Sequence, residues 1–405
     1  MSHNLPWLYS GRAIRSFITS FLTVAFPLYL ATSGFDASRI GLIIAVTGGL
    51  TVVLVTAVGF VADRFGRRTV LIGLALLSFL GSGAMAFFPA SFAIAAMAGG
   101  LGGVGRGGGA GSGGSWGPVF PAEQPLIAAS TTPQNRTRAF GRLSFVGVVA
   151  GALGSMVATL PEVLYHAGWS WASAYRLLFG IAAILSVIML LVSVPIRETP
   201  PAQQTSQPTP LSTRQLLSRL GLTNGLNGFG IGFLGPLLTY WFYRRYGVGP
   251  AQIGVLYTIV NLAAALPYLG AARVAERLGT VRTVIATRGL GLVALLSMAL
   301  VPQFWLAGAF YTLRMILNSL GMPARQSFVM GVSDARYQSR ITALASLPSQ
   351  VTSMISPAVA GQVMASFLDA PIIGAVLFMS LNVLTYYYSF RHVQTPEEQA
   401  RAGSV

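Results

Sequence analysis

Runs of about twenty apolar residues recur along this 405-residue chain and constrain its fold more than any other feature. Examples lie near residues 69–88, 178–195 and 284–301. Because an α-helix rises ~1.5 Å per residue, each run is long enough to cross a hydrocarbon core of ~30 Å. Only 9% of the residues are charged, whereas soluble domains average about 25%. The sequence therefore predicts an all-α integral membrane protein with twelve transmembrane helices.

The fourth predicted span differs from the others. Residues 91–130 contain no ionic loop, yet one helix of that length would be about twice as long as a bilayer requires. Residues 99–118 within it are rich in glycine and end in proline. Glycine costs up to ~1 kcal/mol and proline ~3 kcal/mol in a helix interior. We expect either a broken helix that lines a binding site or an inserted loop, and the glycines alternatively serve close helix packing.

Positive charge is distributed unevenly over the predicted loops. All 26 basic residues are arginine, and the net charge is +16. Most of them lie in alternate loops and in the tails, including Arg12 and Arg15, whereas Arg39, Arg244 and Arg245 lie in the other loops. This bias predicts cytoplasmic N- and C-termini, in the plasma (inner) membrane of a prokaryote. The charge is thus explained by topology, and no nucleic-acid partner is predicted.

Several chemistries lack the residues they need. Cysteine and lysine are absent, which excludes thiolate metal sites, Walker A phosphate loops and Schiff-base chemistry. His3, His166 and His392 are too far apart in the predicted topology to form a metal cluster. No HExxH motif occurs either. We therefore predict no enzyme activity, no cofactor and no metal site.

A charged motif between spans 2 and 3 recurs in the second half. Residues 59–68 read Gly-Phe-Val-Ala-Asp-Arg-Phe-Gly-Arg-Arg, and residues 272–279 repeat the acid, the arginine and the glycine. Glu276 follows Asp63 by 213 residues (276 minus 63). A repeat this long indicates a duplicated chain. We predict two pseudo-symmetric six-helix bundles, at residues 1–196 and 214–405, joined by a polar, Pro-rich cytoplasmic linker at 197–213.

Two six-helix halves with this motif between spans 2 and 3 resemble the major facilitator superfamily. The runs 117–124 in span 4 and 321–326 in span 10 resemble an exporter-like branch of it. The resemblance implies a secondary transporter that works by alternating access. It also implies that the motif and its repeat form a conformational latch on the cytoplasmic side. The residues so assigned are Gly59, Asp63, Arg64, Gly66, Arg67, Arg68, Glu276 and Arg277.

The residue types of the motif suit such a latch. Gly59 lacks a side chain where helix 2 approaches another helix. Asp63 is expected to accept backbone N–H groups at a helix N-terminus, where the helix dipole favours an anion. The arginines are expected to pair with acids on neighbouring helices, or alternatively only to set the topology.

Five arginines belong to neither set of loops. Arg176, Arg288 and Arg325 lie near predicted helix ends and are expected to snorkel to water. Arg314 lies about ten residues into span 10, and Arg106 occupies the matching region of span 4. Because a cation at this depth is costly, both should face a wet cavity or an acid. The residues predicted to line the substrate cavity between the halves are Arg106, Arg314, Gln124, Gln326, Asn227, Tyr257, Asn261 and Asn318.

Glu123 is the acid predicted to lie within a helix near the cavity. We predict that it couples transport to protons. The alternative is a structural salt bridge to Arg325 or to the arginines of the motif.

The predicted function is transport of an anionic or amphiphilic small organic molecule, by proton-coupled efflux. The alternatives are an organic-anion uptake symporter and an uncoupled lipid transporter or scramblase. The predicted partners are the substrate, protons and the lipid bilayer, and the protein is expected to be a monomer.

Overall fold

The computed structural model describes residues 3–35, 37–88, 91–103, 117–198, 213–248, 250–333 and 337–391, which are predominantly helical. The helices of the first half are α1 Asn4–Thr32, α2 Ala37–Phe65, α3 Arg67–Phe87, α4 Phe92–Gly100, α5 Phe120–Ala129, α6 Pro133–Val157, α7 Leu160–His166 and α8 Trp171–Ser193. Those of the second half are α9 Thr213–Tyr246, α10 Pro250–Ala265, α11 Pro267–Leu278, α12 Thr280–Leu300, α13 Phe304–Val332, α14 Gln338–Ser366 and α15 Ala370–Phe390.

These fifteen helices correspond to the twelve predicted crossings. Helices α4 and α5 flank residues 104–116, which lie outside the described part of the chain, and together they occupy the place of span 4. Helices α10 and α11 are separated by one residue and a bend of 44°. When each pair counts as one crossing and the seven-residue α7 is set aside, the described residues contain six crossings in each half.

Fewer helices qualify as membrane spans by length and apolar composition alone. Six of the described helices do so, and the bent pair makes up to seven. Helix α13 is not among them, and Arg314, Asn318 and Arg325 interrupt its apolar sequence. The predicted cavity residues Arg314 and Asn318 therefore lie on a helix that is too polar to qualify by composition.

The chain divides into two compact units. Of the described residues, unit 1 contains those up to 130 and 143–198, and unit 2 contains 131–142 and those from 213 onward. Phe21, Leu22 and Phe179 lie in the core of unit 1. Trp241 and Phe242 lie in the core of unit 2.

The described glycines of the fourth span pack tightly against neighbouring helices. A Cβ atom on Gly99 would lie 2.6 Å from Thr47 Oγ1 of α2. A Cβ atom on Gly102 would lie 2.9 Å from the Cα of Gly81 in α3. Close packing, one of the two roles expected for these glycines, therefore applies to the described end of the run.

Glycines also allow close approach of helices in unit 2. A Cβ atom on Gly228 of α9 would lie 2.6 Å from the Cα of Ser349 in α14. On Gly232, one turn further, it would lie 2.9 Å from the Cα of Ser353. Helices α9 and α14 therefore meet along a seam of small residues.

Candidate functional site

The motif of the first half forms the junction between α2 and α3. Gly66 separates the two helices with φ +97°, a backbone conformation that favours glycine. The Glu198 carboxylate accepts hydrogen bonds from the backbone N–H groups of Arg67 and of Arg68, the latter at 3.4 Å. A Cβ atom on Gly66 would lie 2.8 Å from the Glu198 carboxyl carbon. Gly66 therefore both makes the turn and leaves room for an anion at the start of α3.

The other residues of this motif surround the same junction. Asp63 Oδ1 lies 3.8 Å from Arg67 Nη2, one turn apart. The Arg64 guanidinium lies 5.3 Å from the ring centre of Phe65 and is exposed. Gly59 is buried in α2. The sequence reasoning missed Glu198, which follows α8 and lies 131 residues beyond Arg67 in the chain.

The second copy of the motif repeats the backbone conformation of the first. Gly279 separates α11 from α12 with φ +84° and ψ 152°, close to the φ +97° and ψ 144° of Gly66. Glu276 Oε1 lies 3.8 Å from Arg138 Nη2 within unit 2. The two side chains are 36% and 50% exposed, so this ion pair is in contact with solvent. Arg277 is also exposed.

Glu123 lies in a buried cluster of charges in unit 1. Its Oε2 atom is 2.6 Å from Arg12 Nη2, and both of its oxygens are 3.1 Å from Arg15 Nη2. Arg12 is fully buried, and the Glu123 side chain is only 3% exposed. One carboxylate is therefore shared by two guanidinium groups, which leaves a net charge of +1.

This cluster corrects two sequence expectations. Arg12 and Arg15 were assigned to a loop-like tail, but α1 already begins at Asn4 and carries both of them. The salt-bridge partners considered for Glu123 were Arg325 and the motif arginines, whereas the structure places Arg12 and Arg15 there. Both errors arise because α1 is longer at its N-terminus than its apolar run.

A small cavity in unit 1 adjoins the charged cluster. Arg15 and Glu123 form part of its wall, together with Trp7, Met189 and Ser193. An aromatic and a thioether group thus lie beside this ion pair.

Arg314 is held by sulfur atoms. Its Nη1 lies 3.6 Å from the sulfur of Met315, and its Nη2 lies 3.5 Å from that of Met379 in α15. Among the described residues, no carboxylate lies within ion-pairing distance of it. Its guanidinium is half-buried, and the groups that it contacts are soft, weak acceptors.

The other predicted cavity residues are found in several places. Gln124 and Gln326 are almost fully buried, and among the described residues the Gln326 amide has no hydrogen-bond partner. Asn227, Asn261 and Asn318 are half-buried, on α9, α10 and α13. Asn318 lies one helical turn from Arg314 and so shares its face. Arg106 and the Tyr257 side chain lie outside what the structure describes.

The three arginines expected to snorkel are instead bound by polar side chains. Arg176 Nε donates a hydrogen bond to Tyr29 Oη at 3.4 Å. Arg288 donates to Asn382 Oδ1, and Arg325 donates to Asn224 Oδ1. These partners were not predicted, because distance from a helix end does not reveal which polar groups adjacent helices present.

Comparison with known proteins identifies the class to which this fold belongs. The model of the Major Facilitator Superfamily matches residues 8–222 and again 220–404, so the chain belongs to this superfamily. It is a multi-pass membrane transporter and not an enzyme. The two matches confirm the duplication, and the predicted fold of two six-helix halves is likewise confirmed.

Individual relatives are distant. The multidrug resistance protein MdtG of Proteus mirabilis (strain HI4320) is 26% identical over 227 residues, which are 53% of this chain and 54% of that protein. The match thus spans about half the length of that relative.

Solved structures share the fold. The human organic anion transporter MFSD10 (TETRAN) has a TM-score of 0.73 at 16% identity, covering 95% of this chain and 98% of that one. A bacterial homologue of the iron transporter ferroportin in an outward-facing state has a TM-score of 0.73 at 13% identity, with 96% and 100% covered. The proton:xylose symporter XylE also scores 0.73 at 13% identity, with 98% and 99% covered.

Proposed function

We propose that this protein exports an anionic or amphiphilic small organic molecule by alternating access, in exchange for protons. The observation that carries the choice of cargo is Arg314, a deep cation with sulfur contacts and no carboxylate partner among the described residues. A buried positive charge in a membrane protein is costly unless an anion or water offsets it. An anionic cargo would supply that charge during transport.

Proton coupling is assigned to Glu123. The carboxylate is bound to Arg12 and Arg15, so these ion pairs must open before it takes up a proton. Loss of the proton restores both ion pairs, so the protonation state of Glu123 is coupled to the contacts between α1 and α5 in unit 1.

The direction and membrane are further parts of the proposal. The similarity to a multidrug resistance protein supports export, and the bacterial source of that protein supports the inner membrane of a prokaryote. The arginine distribution supports cytoplasmic termini. We retain 1–196 and 214–405 as the two bundles, with 197–213 as their linker, because these bounds follow from the sequence repeat.

The proposal is tested by transport into and out of proteoliposomes. Uptake of a radiolabelled aromatic carboxylate into inside-out vesicles should depend on a proton gradient and stop when an uncoupler removes it. Transport that persists with the uncoupler would contradict proton coupling and favour a scramblase-like activity.

The assignment of Arg314 has its own test. Arg314→Ala should weaken the apparent affinity for the carboxylate by about tenfold, because an ion pair of this kind contributes roughly 1.4 kcal/mol. The matched control is Arg282→Ala, which removes the same charge from an exposed site on α12. An unchanged KM in Arg314→Ala would remove this residue from the cargo site.

A further inference from the structure

Two arginines in the interior of unit 2 are bound by amides instead of carboxylates. Arg288 of α12 donates a hydrogen bond to Asn382 Oδ1 of α15. Arg325 of α13 donates one to Asn224 Oδ1 of α9. An amide oxygen accepts a hydrogen bond but carries no net charge. Among the described residues, neither guanidinium group is therefore paired with a carboxylate.

The two amides are themselves held in position. Asn382 Nδ2 donates to the backbone carbonyl of Thr223 in α9. Asn224 Nδ2 donates to the carbonyl of Ala345 in α14 at 2.6 Å. With their NH2 groups engaged, both asparagines present their oxygens to the arginines. Five helices thus fix the positions of the two cations before any ligand arrives.

Tyr386 of α15 adds a third polar group. Its side chain is 1% exposed, and its ring centre lies 6.0 Å from the Arg288 guanidinium carbon. Arg325 belongs to the same group, because Asn382, which binds Arg288, also donates to Thr223, and the next residue, Asn224, binds Arg325. Among the described residues, the Tyr386 hydroxyl has no hydrogen-bond partner. A buried hydroxyl without a partner is costly, so the group is suited to meet a ligand.

The acidic residues in the described part of unit 2 already have partners. In the described part of unit 2, the acidic residues are Glu276 and Asp369. Glu276 pairs with Arg138, and Asp369 accepts from Trp241 at 2.8 Å and pairs with Arg245 at 3.3 Å. Neither carboxylate is bound to the interior arginines.

We propose that Arg288, Arg325 and the Tyr386 hydroxyl bind an oxyanion inside unit 2. Guanidinium groups donate paired N–H groups in the geometry that carboxylate and phosphate oxygens accept. The oxyanion is either the carboxylate of an organic anion or the phosphate of an anionic lipid. Binding of an oxyanion at this site does not depend on the proposed export. Only the idea that the bound oxyanion is a transported cargo rests on the proposed function.

Binding is measured on the purified full-length protein. In a neutral detergent, titration calorimetry and thermal unfolding are followed with benzoate and with benzamide, which has the same ring and no charge. Benzoate should bind and raise the melting temperature, whereas benzamide should not. In parallel, the melting temperature is compared in nanodiscs of phosphatidylglycerol and of phosphatidylcholine, which tests the lipid source.

Variants locate the site. Arg288→Gln and Arg325→Gln should each weaken binding of the effective oxyanion at least tenfold, equivalent to about 1.4 kcal/mol. Tyr386→Phe keeps the aromatic ring and should weaken oxyanion binding severalfold. If the glutamine variants do not fold, this variant tests the site. Arg282→Gln, exposed on the same helix as Arg288, should bind like the wild type.

The outcomes separate this site from the proposed function. If benzoate stabilises the protein and the effect requires the arginines, the site binds organic carboxylates. If only phosphatidylglycerol does so, the site binds a lipid phosphate. Failure of both, or equal binding by the wild type and the folded variants, overturns the site. Intact binding without proton-driven transport would contradict the export proposal and leave the site in place.

Discussion

Glu123 shows how strongly a single residue depends on its surroundings in this protein. It carries the carboxylate of a cluster with two arginines, one of which is fully buried. Removing one partner of a buried ion pair leaves an uncompensated charge, which typically costs more than the pair itself contributes.

Glu123→Gln should therefore lower the free energy of unfolding by about 3 kcal/mol, because Arg12 and Arg15 lose their shared counter-charge. Denaturant unfolding in detergent measures the effect. The control is Glu276→Gln, whose exposed pair with Arg138 should contribute at most about 1 kcal/mol. The double variant Arg12→Gln/Glu123→Gln should regain part of the loss. If Glu123→Gln were as stable as the wild type, the shared carboxylate would not stabilise the two arginines as expected.

At this scale the sequence predicted where residues lie along a helix better than it predicted what they contact. Arg314 lies within α13, as expected, because a position along a helix follows from counting along one segment. The contacts of Arg288 and Arg325 were not predicted, since Asn382 and Asn224 lie 94 and 101 residues away. Hydrogen bonds between residues this far apart in the chain depend on how the helices are rotated relative to each other. The spacing of residues in a single sequence does not predict these rotations.

At the scale of helices, the two motif junctions share one backbone device. Gly66 and Gly279 both have positive φ and are 213 residues apart (279 minus 66), so duplication preserved the turn as well as the letters. The repeated turn was predictable because a glycine occurs at the same position in both copies of the motif. The carboxylate at the start of α3 was not predictable, because Glu198 follows a different helix, α8.

Alanine substitution at either glycine should destabilise the protein by about 1–2 kcal/mol, the cost of placing a side chain at positive φ. For Gly66→Ala the new Cβ atom also meets Glu198. The cost of Gly66→Ala should therefore fall in a Glu198→Ala background, whereas that of Gly279→Ala should not change. Melting temperatures of the four combinations and their parents measure this. Equal costs of Gly66→Ala in both backgrounds would contradict the contact.

At the scale of the whole molecule, the motif repeats are proposed to bias the protein between its transport states. The pair between Arg138 and Glu276 is exposed, and such pairs contribute roughly 0.2–1 kcal/mol. A contribution of this size suits a latch, because a strong pair would trap one state. It corresponds to at most about a fivefold change in the populations of the two states.

Charge reversal tests the latch. Arg138→Glu and Glu276→Arg should each shift the equilibrium between transport states by up to about fivefold, and the double reversal should restore it. Because the chain has no cysteine, a pair of introduced cysteines can carry spin labels without background. Distance distributions between the labels measure the populations. Single variants that shift nothing, or a double variant that adds the two effects, would contradict a latch at this pair.

The way the chain leaves unit 1 has a mechanical consequence. Asn4 and Arg197 are joined by two hydrogen bonds, of 2.8 and 2.9 Å, and the next residue, Glu198, binds the start of α3. Residues 197 and 198, which follow the end of α8, thus contact the starts of α1 and α3. A pull on the segment after Glu198 is shared by three helices and does not unwind α8 alone. Residues 197 and 198 therefore connect three helices, so tension applied after Glu198 is distributed over α1, α3 and α8.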